Sequence, residues 1–130
     1  MLRYGLVVTG QDEQVLVLVD EAGLASLRGV LFAFSQASSN TSLSLPDEKP
    51  ANGDTSISLC LSEQARGMQR ETASGQLQWY LTREQARHFW ELLSELTDGY
   101  HQYLECGHVD EIVVKVSRGE YGDDSILTAG

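Results

Sequence analysis

The feature that most constrains the fold of this chain is a change of hydrophobic period at Thr82. Residues 76–82, QLQWYLT, alternate apolar and polar side chains, which is the pattern of a strand with one buried face. After Thr82 the apolar residues recur at helical spacing, and Gln85 completes a capping box that begins a helix. A strand that leads directly into an amphipathic helix predicts a sheet with helices packed against it.

The helix after Thr82 is expected to end just before Gly99, because glycine commonly follows the last turn of a helix. An earlier helix is predicted over residues 21–36, with Asp20 as its N-cap and leucines at helical spacing. Two glycines weaken that helix, so a short helix that runs into a strand over residues 28–36 remains the alternative.

Four further segments alternate strictly or are rich in β-branched residues, and we predict that they are strands: residues 2–9, 15–20, 55–61 and 111–117. The resulting order is β-β-α-β-β-α-β, and no internal repeat is visible in the sequence. We therefore predict one α+β domain over residues 1–130. It would contain a single, largely antiparallel sheet with two helices packed against it.

The segments between these elements are predicted to be loops. Residues 36–54 hold both prolines of the chain among Ser, Asn and Gly, which predicts a mobile loop, with SLSL open as a short edge strand. A polar connection over residues 62–76 is predicted to turn near residues 73–75. Residues 99–110 are predicted to form a packed turn, and residues 122–130 a frayed tail.

Composition and charge narrow the range of functions. The chain has 130 residues, of which 42% are hydrophobic and 22% charged, as expected of one globular domain. No apolar run is long enough to cross a bilayer and the first residues do not resemble a signal peptide, so we predict a cytoplasmic protein with two reduced cysteines. A formal net charge of −10 disfavours nucleic acid and anionic membranes as ligands, but it suits a basic protein partner.

The region around residues 99–121 holds the residues that most resemble a chemical site. His101, Cys106 and His108 are residue types that bind zinc, but their spacing matches no standard zinc motif. Cys106 and His108 are also the types of a thiol nucleophile and its base, but two positions on one turn rarely align for catalysis. We therefore predict no metal, no cofactor and no enzyme activity, with a small metal or thiol enzyme as a distant alternative.

The C-terminal third is more acidic than the stretch before it and is rich in tyrosine, which is the composition of an interaction surface. The predicted partner-binding residues are Tyr103, Glu105, Asp110, Glu120, Tyr121, Asp123 and Asp124. The same acids are also explained as a solvated rim, and the tyrosines as core residues. The oligomeric state stays open, with a homodimer as one arrangement.

Two short motifs in this region resemble small acidic bacterial immunity proteins, which are encoded beside polymorphic or contact-dependent toxins. The first motif, HQYLE, spans residues 101–105, and the second, SRGEY, spans residues 117–121. The stretches LTREQARHFWELLSEL and DEAGLASL also fit. This resemblance covers the C-terminal third of the chain and implies a single-domain, non-enzymatic inhibitor that docks on a cognate toxin.

The leading hypothesis from the sequence is therefore a protein-binding inhibitor of the immunity type, whose partner is a cognate toxin or another protein of basic charge. The alternative from a different class is a structural or regulatory subunit without an inhibitor role. Such a subunit would associate with itself through an exposed apolar face.

Overall fold

The structure, a computed structural model, describes residues 1–37, 42–44, 57–71 and 76–121. This part of the chain contains two helices and eight strands, so the predicted α+β class is confirmed. In chain order the elements are β1 Leu2–Thr9, β2 Asp12–Val19, α1 Glu21–Ser35, β3 Ser42–Ser44, β4 Ile57–Leu61, β5 Gly67–Arg70, β6 Leu77–Leu81, α2 Arg83–Leu93, β7 Tyr100–Leu104 and β8 Val113–Arg118.

The strands form two four-stranded sheets, so the prediction of a single sheet was wrong. The first sheet has the order β1-β2-β8-β7, and the second has the order β3-β4-β6-β5. Each sheet consists of two antiparallel pairs whose inner strands, β2 with β8 and β4 with β6, run parallel. The error has a physical reason: hydrophobic alternation indicates which face of a strand is buried, but it does not indicate which strand lies beside it.

The order of elements occurs twice along the chain. A strand pair, a helix and a second strand pair form β1-β2-α1-β3-β4, and the same order returns in β5-β6-α2-β7-β8. The first and last pairs build the first sheet, and the two middle pairs build the second. In each half the helix begins one capping residue after the strand that precedes it. The repeat is therefore one of topology, which the sequence did not reveal.

Helix α1 begins at its predicted cap, where an Asp20 carboxylate oxygen accepts from the Gly23 N–H at 2.8 Å. A side chain at Gly23 would place a Cβ only 1.5 Å from the Met1 carbonyl oxygen, which explains a glycine inside this helix. The helix runs unbroken to Ser35, so the alternative of a strand over residues 28–36 was wrong.

Helix α2 also begins at its predicted cap, because the Thr82 hydroxyl accepts from the Gln85 N–H at 3.0 Å. It ends at Leu93, which is earlier than predicted, and the chain then turns toward β7. Gly99 does not follow the last turn directly. Its positive φ of 87° instead serves the entry into β7.

One core joins the two sheets and the two helices. Trp79 of β6 and Phe89 of α2 are fully buried and stack with 5.7 Å between their ring centroids. Buried residues of β1, β2 and β8 belong to the same hydrophobic cluster as those of β4 and β6. The sheets also meet through the backbone, where the Ile112 N–H donates to the Met68 carbonyl at 2.9 Å. This contact fixes the position of the loop before β8.

Two strands lie where loops were predicted. β5 falls in the predicted polar connection, and β7 falls in the predicted packed turn. Both are short and hold few apolar side chains, so neither shows the alternation that marks a strand. The open question over SLSL is answered by β3, which pairs with β4. The remaining loop predictions lie outside the described residues: most of 36–54, the turn at 73–75 and the tail at 122–130.

Candidate functional site

An open groove of about 750 Å³ lies between the turn that joins β1 to β2 and the loop that joins β7 to β8. Tyr103, Glu105 and Asp110 line this groove, and all three were predicted to bind a partner. The first sheet brings them together because β7 and β8 carry the loop at one end of the sheet, beside the β1–β2 turn. We call this surface the acidic groove.

The groove is negatively charged, because its lining includes five carboxylates and no lysine or arginine: Asp12, Glu13, Glu105, Asp110 and Glu111. Glu13 forms an ion pair with Arg70, at 3.1 Å between the charged atoms. In the part of the chain that the structure describes, no cation contacts Asp12, Glu105 or Asp110. These three carboxylates therefore leave a local negative potential at the mouth of the groove.

Glu111 has a structural task. Its two carboxylate oxygens accept from the N–H groups of Cys106 and Gly107, at 2.7 and 2.8 Å. Gly67 lies directly beneath, because a Cβ at that position would be 2.2 Å from a Glu111 carboxylate oxygen. The loop that forms one wall of the groove is thus held from below by β5. This support gives the exposed residues of the loop a defined position.

Apolar and aromatic side chains border the carboxylates. Val109, in the loop, is 91% exposed. Tyr103, on β7, is 44% exposed. Tyrosine is enriched at protein interfaces and polar groups form their rims, and an exposed tyrosine bordered by carboxylates fits that arrangement.

Glu120 and Tyr121 lie at the other end of the β7–β8 pair and do not line the groove. Glu120 accepts from the Ser117 hydroxyl at 2.5 Å and lies 2.8 Å from His101 Nδ1. The hydrogen bond from Ser117 and the contact with His101 lower the pKa of the Glu120 carboxyl. The Tyr121 ring lies 5.8 Å from Lys115 Nζ, and Lys115 is opposite Tyr103 in the sheet.

The seven predicted partner-binding residues therefore separate into three groups. One group lines the acidic groove, and a second, Glu120 with Tyr121, is bonded within the far end of the first sheet. Asp123 and Asp124 lie outside the described residues. Of the two groups that the structure describes, the first forms an open surface with unpaired charge.

The thiol of Cys106 is poorly suited to nucleophilic catalysis. Burial, and then the charge and hydrogen bond of Glu111, raise the pKa of this thiol to about 12. A thiol nucleophile requires a lowered pKa, so that the thiolate is populated at neutral pH. His108 does not change this, because its Nδ1 accepts from the Asp110 N–H at 3.3 Å within the same loop.

Ser117, Glu120 and His101 contain the residue types of a catalytic triad, but in the wrong order. The carboxylate lies between the hydroxyl and the imidazole, so the Ser117 hydroxyl donates its hydrogen bond to Glu120 and not to His101. A triad requires the imidazole between the other two groups. Ser117 is also only 1% exposed. Within the described ranges, no group of three or more His, Cys, Asp and Glu residues is arranged to hold a metal ion.

The sequence reasoning missed Asp12, Glu13 and Val109 as members of the surface. Asp12 and Glu13 belong to the stretch GQDEQ, whose composition is typical of a turn, and the structure places both at the start of β2. Their signal is weak, because acidic residues are common in turns. They become relevant only once β2 and β8 lie side by side and place the turn beside the loop.

The chain matches no protein-family model and no curated protein sequence. Neither helix of the described residues has the length and apolar character needed to span a membrane. The resemblance to immunity proteins therefore rests on the short motifs HQYLE and SRGEY.

Proposed function

We propose that this chain is a cytoplasmic, non-enzymatic inhibitor of the immunity type, which neutralises a cognate toxin by docking on it. The observation that carries the proposal is the acidic groove, where unpaired carboxylates lie beside the exposed side chains of Val109 and Tyr103. Tyrosine is enriched at protein interfaces, and charged groups at their polar rims select a partner of complementary charge. The motifs HQYLE and SRGEY, which resemble those of immunity proteins, support the same function.

The charge of the groove indicates the chemistry of the partner. A lysine or arginine side chain that enters the groove would meet Asp12, Glu105 and Asp110. The net charge of −10 would also speed the encounter with a basic protein. Inhibition then follows from occlusion, because the bound chain covers a basic surface of the toxin and excludes the toxin's substrate. No group of the chain has to react.

The proposal is tested with the protein encoded beside this one. That neighbour should be toxic when produced alone, and co-production of the wild-type chain should restore growth. The double variant Glu105→Lys/Asp110→Lys should bind the neighbour at least about tenfold more weakly, because two attractive charges become repulsive. Its melting temperature should stay unchanged, because neither carboxylate has a partner among the described residues.

A matched control is offered by Glu63→Lys/Glu84→Lys. These two exposed carboxylates line a different surface, so the pair changes the net charge equally and leaves the acidic groove intact. The control should bind and rescue like the wild type, apart from a small effect on the association rate. Equal losses in both pairs, or a neighbour that is neither toxic nor bound, would contradict the proposal.

One observation favours the alternative of a self-associating subunit. Phe32 of α1 is 40% exposed and contacts Trp90 of α2, with 5.3 Å between ring centroids. A second copy could cover this aromatic pair. Light scattering decides the question: a monomeric mass excludes the alternative, and a dimer that Phe32→Ser converts to a monomer supports it.

A further inference from the structure

Strand β7 is an exposed edge of the first sheet. It pairs with β8 on one side only. Its side chains are largely exposed, with Tyr100 at 66% and Tyr103 at 44%. Its sequence, YHQYL, contains no proline, lysine or acidic residue, which are the usual protections of an edge strand against further pairing.

The hydrogen bonds at the start of β7 establish which backbone groups face away from the sheet. Gly99, with φ of 87°, donates its N–H to the Arg118 carbonyl at 2.6 Å, while the Tyr100 N–H turns back to the Thr97 carbonyl at 3.2 Å. This is the arrangement of a glycine bulge. After the bulge, the backbone groups of every second residue, beginning with the Tyr100 carbonyl, face the partner strand β8. The backbone groups of His101 therefore point away from β8.

The same alternation applies to the rest of β7 and is supported by two side-chain contacts. The Tyr103 carbonyl accepts from the Gln102 side-chain amide at 3.0 Å, and the Glu105 carbonyl accepts from the Gln85 amide at 3.4 Å. Flexible glutamines thus occupy two carbonyls on the open side of the strand. Among the described residues, no acceptor outside the sheet is found for the N–H groups of His101, Tyr103 and Glu105.

Two other edges, those of β5 and β1, are better covered. β5 pairs with β6 on one side, and its other side meets the backbone of Ile112. In β1, the first half is packed into the core, with Leu2 at 1% and Tyr4 at 3% exposure. β7 therefore differs from both, since its side chains and its outward N–H groups are open together.

We propose that β7 receives an extended segment of the partner protein as a fifth, antiparallel strand of the first sheet. This rests on the proposed function and specifies how the partner is held. Backbone bonds to the outward groups of His101, Tyr103 and Glu105 provide the affinity. Glu105 follows the last residue of β7 and lines the acidic groove together with Asp110. A segment paired along β7 therefore has one end next to these two carboxylates, and for this reason we expect the segment to be basic.

Amide hydrogen exchange tests the geometry with a defined probe. The probe is a synthetic peptide of about eight residues in which lysine and valine alternate, and its control carries glutamate in place of lysine. In the free protein the N–H groups of His101, Tyr103 and Glu105 should exchange fast, and those of Gln102 and Leu104 slowly. The lysine peptide should protect the first three, and the glutamate peptide should not. Protection elsewhere, or none, overturns the proposal.

Two variants at one position separate the backbone from the side chain. Tyr103→Ala and Tyr103→Pro both remove the phenol, but only proline removes the outward N–H, and an edge strand tolerates proline at such a position. Tyr103→Pro should bind the lysine peptide about fivefold more weakly than Tyr103→Ala, on the scale of one lost hydrogen bond. Equal affinities of the two variants contradict strand addition.

The neighbouring toxin separates this inference from the proposed function. If the wild-type chain does not bind the toxin, the proposed function fails, while the peptide experiment still decides strand addition. If the toxin is bound equally by Tyr103→Ala and Tyr103→Pro, strand addition is wrong and the inhibitor function stands. Light scattering identifies a third result. If two copies of the chain pair along β7, the protein is a dimer, and the segment added to β7 then comes from a second copy and not from the toxin, which overturns the proposal.

Discussion

Glu111 shows how one residue of the groove can hold a binding surface in place through its hydrogen bonds to the backbone. Its carboxylate bonds the backbone of Cys106 and Gly107 and rests on Gly67. The exposed residues of the loop, Val109 and Asp110, owe their positions to this support. A substitution at Gly67 should therefore displace the loop that carries Val109 and Asp110, although Gly67 does not line the groove.

Gly67→Ala should destabilise the protein by about 1–3 kcal/mol, because a Cβ would meet Glu111 and the residue has φ of 74°. The matched control is Gly29→Ala in α1, where no atom lies within 4 Å of the added Cβ. That control should stabilise the protein by about 0.5–1 kcal/mol. Urea unfolding measures both changes. A stable Gly67→Ala would mean that the loop is not held by this contact.

The pKa of Glu120 predicts how stability depends on pH. Its hydrogen bond from Ser117, with the contact to His101, lowers the pKa in the folded state. The stability gained is therefore complete above the usual glutamate pKa of about 4.3 and is lost as the pH falls through the lowered pKa. Between about pH 7 and pH 3, Glu120→Gln should lose less stability than the wild type, as urea unfolding at each pH measures. Parallel curves for the two proteins would contradict this.

At the scale of elements, the two helices show how much local sequence can determine. Each begins at a residue whose side chain accepts from the backbone three positions on, Asp20 in α1 and Thr82 in α2. These caps were predicted because the chemistry lies within one turn of the chain. The strands β5 and β7 were not predicted, because short strands with polar side chains depend on a neighbour that is distant in sequence.

Removal of the α2 cap should cost about 1 kcal/mol, within the usual range of about 0.5–2. Thr82→Ala removes the hydroxyl that accepts from the Gln85 N–H, whereas Thr82→Ser keeps it. The alanine variant should shift the urea midpoint down, and the serine variant should lie close to the wild type. If alanine and serine behaved alike, the measured loss would belong to the methyl group of threonine.

At the scale of the whole molecule, the two sheets share one core with both helices. The buried cluster contains residues of β1, β2 and β8 together with residues of β4 and β6. The topological repeat β-β-α-β-β therefore does not produce two independent units, because the strand pairs of each half are divided between the two sheets. Each half completes the sheets of the other.

This arrangement predicts a single cooperative unfolding transition. In a Trp90→Phe variant, fluorescence reports on Trp79 alone, which is 1% exposed in the second sheet. Its urea transition should coincide with that of the far-ultraviolet circular dichroism, which averages over both sheets and both helices. Two separate transitions would show that the halves unfold independently, contrary to the shared core.

The sequence alone determined the α+β class, the two helices with their caps, the inward positions of the main strands and the acidic surplus near the C-terminus. Each of these follows from neighbours within a few residues or from composition. Only the tertiary structure decided that there are two sheets, that β7 is an open edge, and that Asp12 lies across a groove from Glu105 and Asp110. The physical reason is that strand pairing joins residues far apart in the chain. The alternation of apolar and polar side chains indicates the buried face of a strand but not which strand pairs with it.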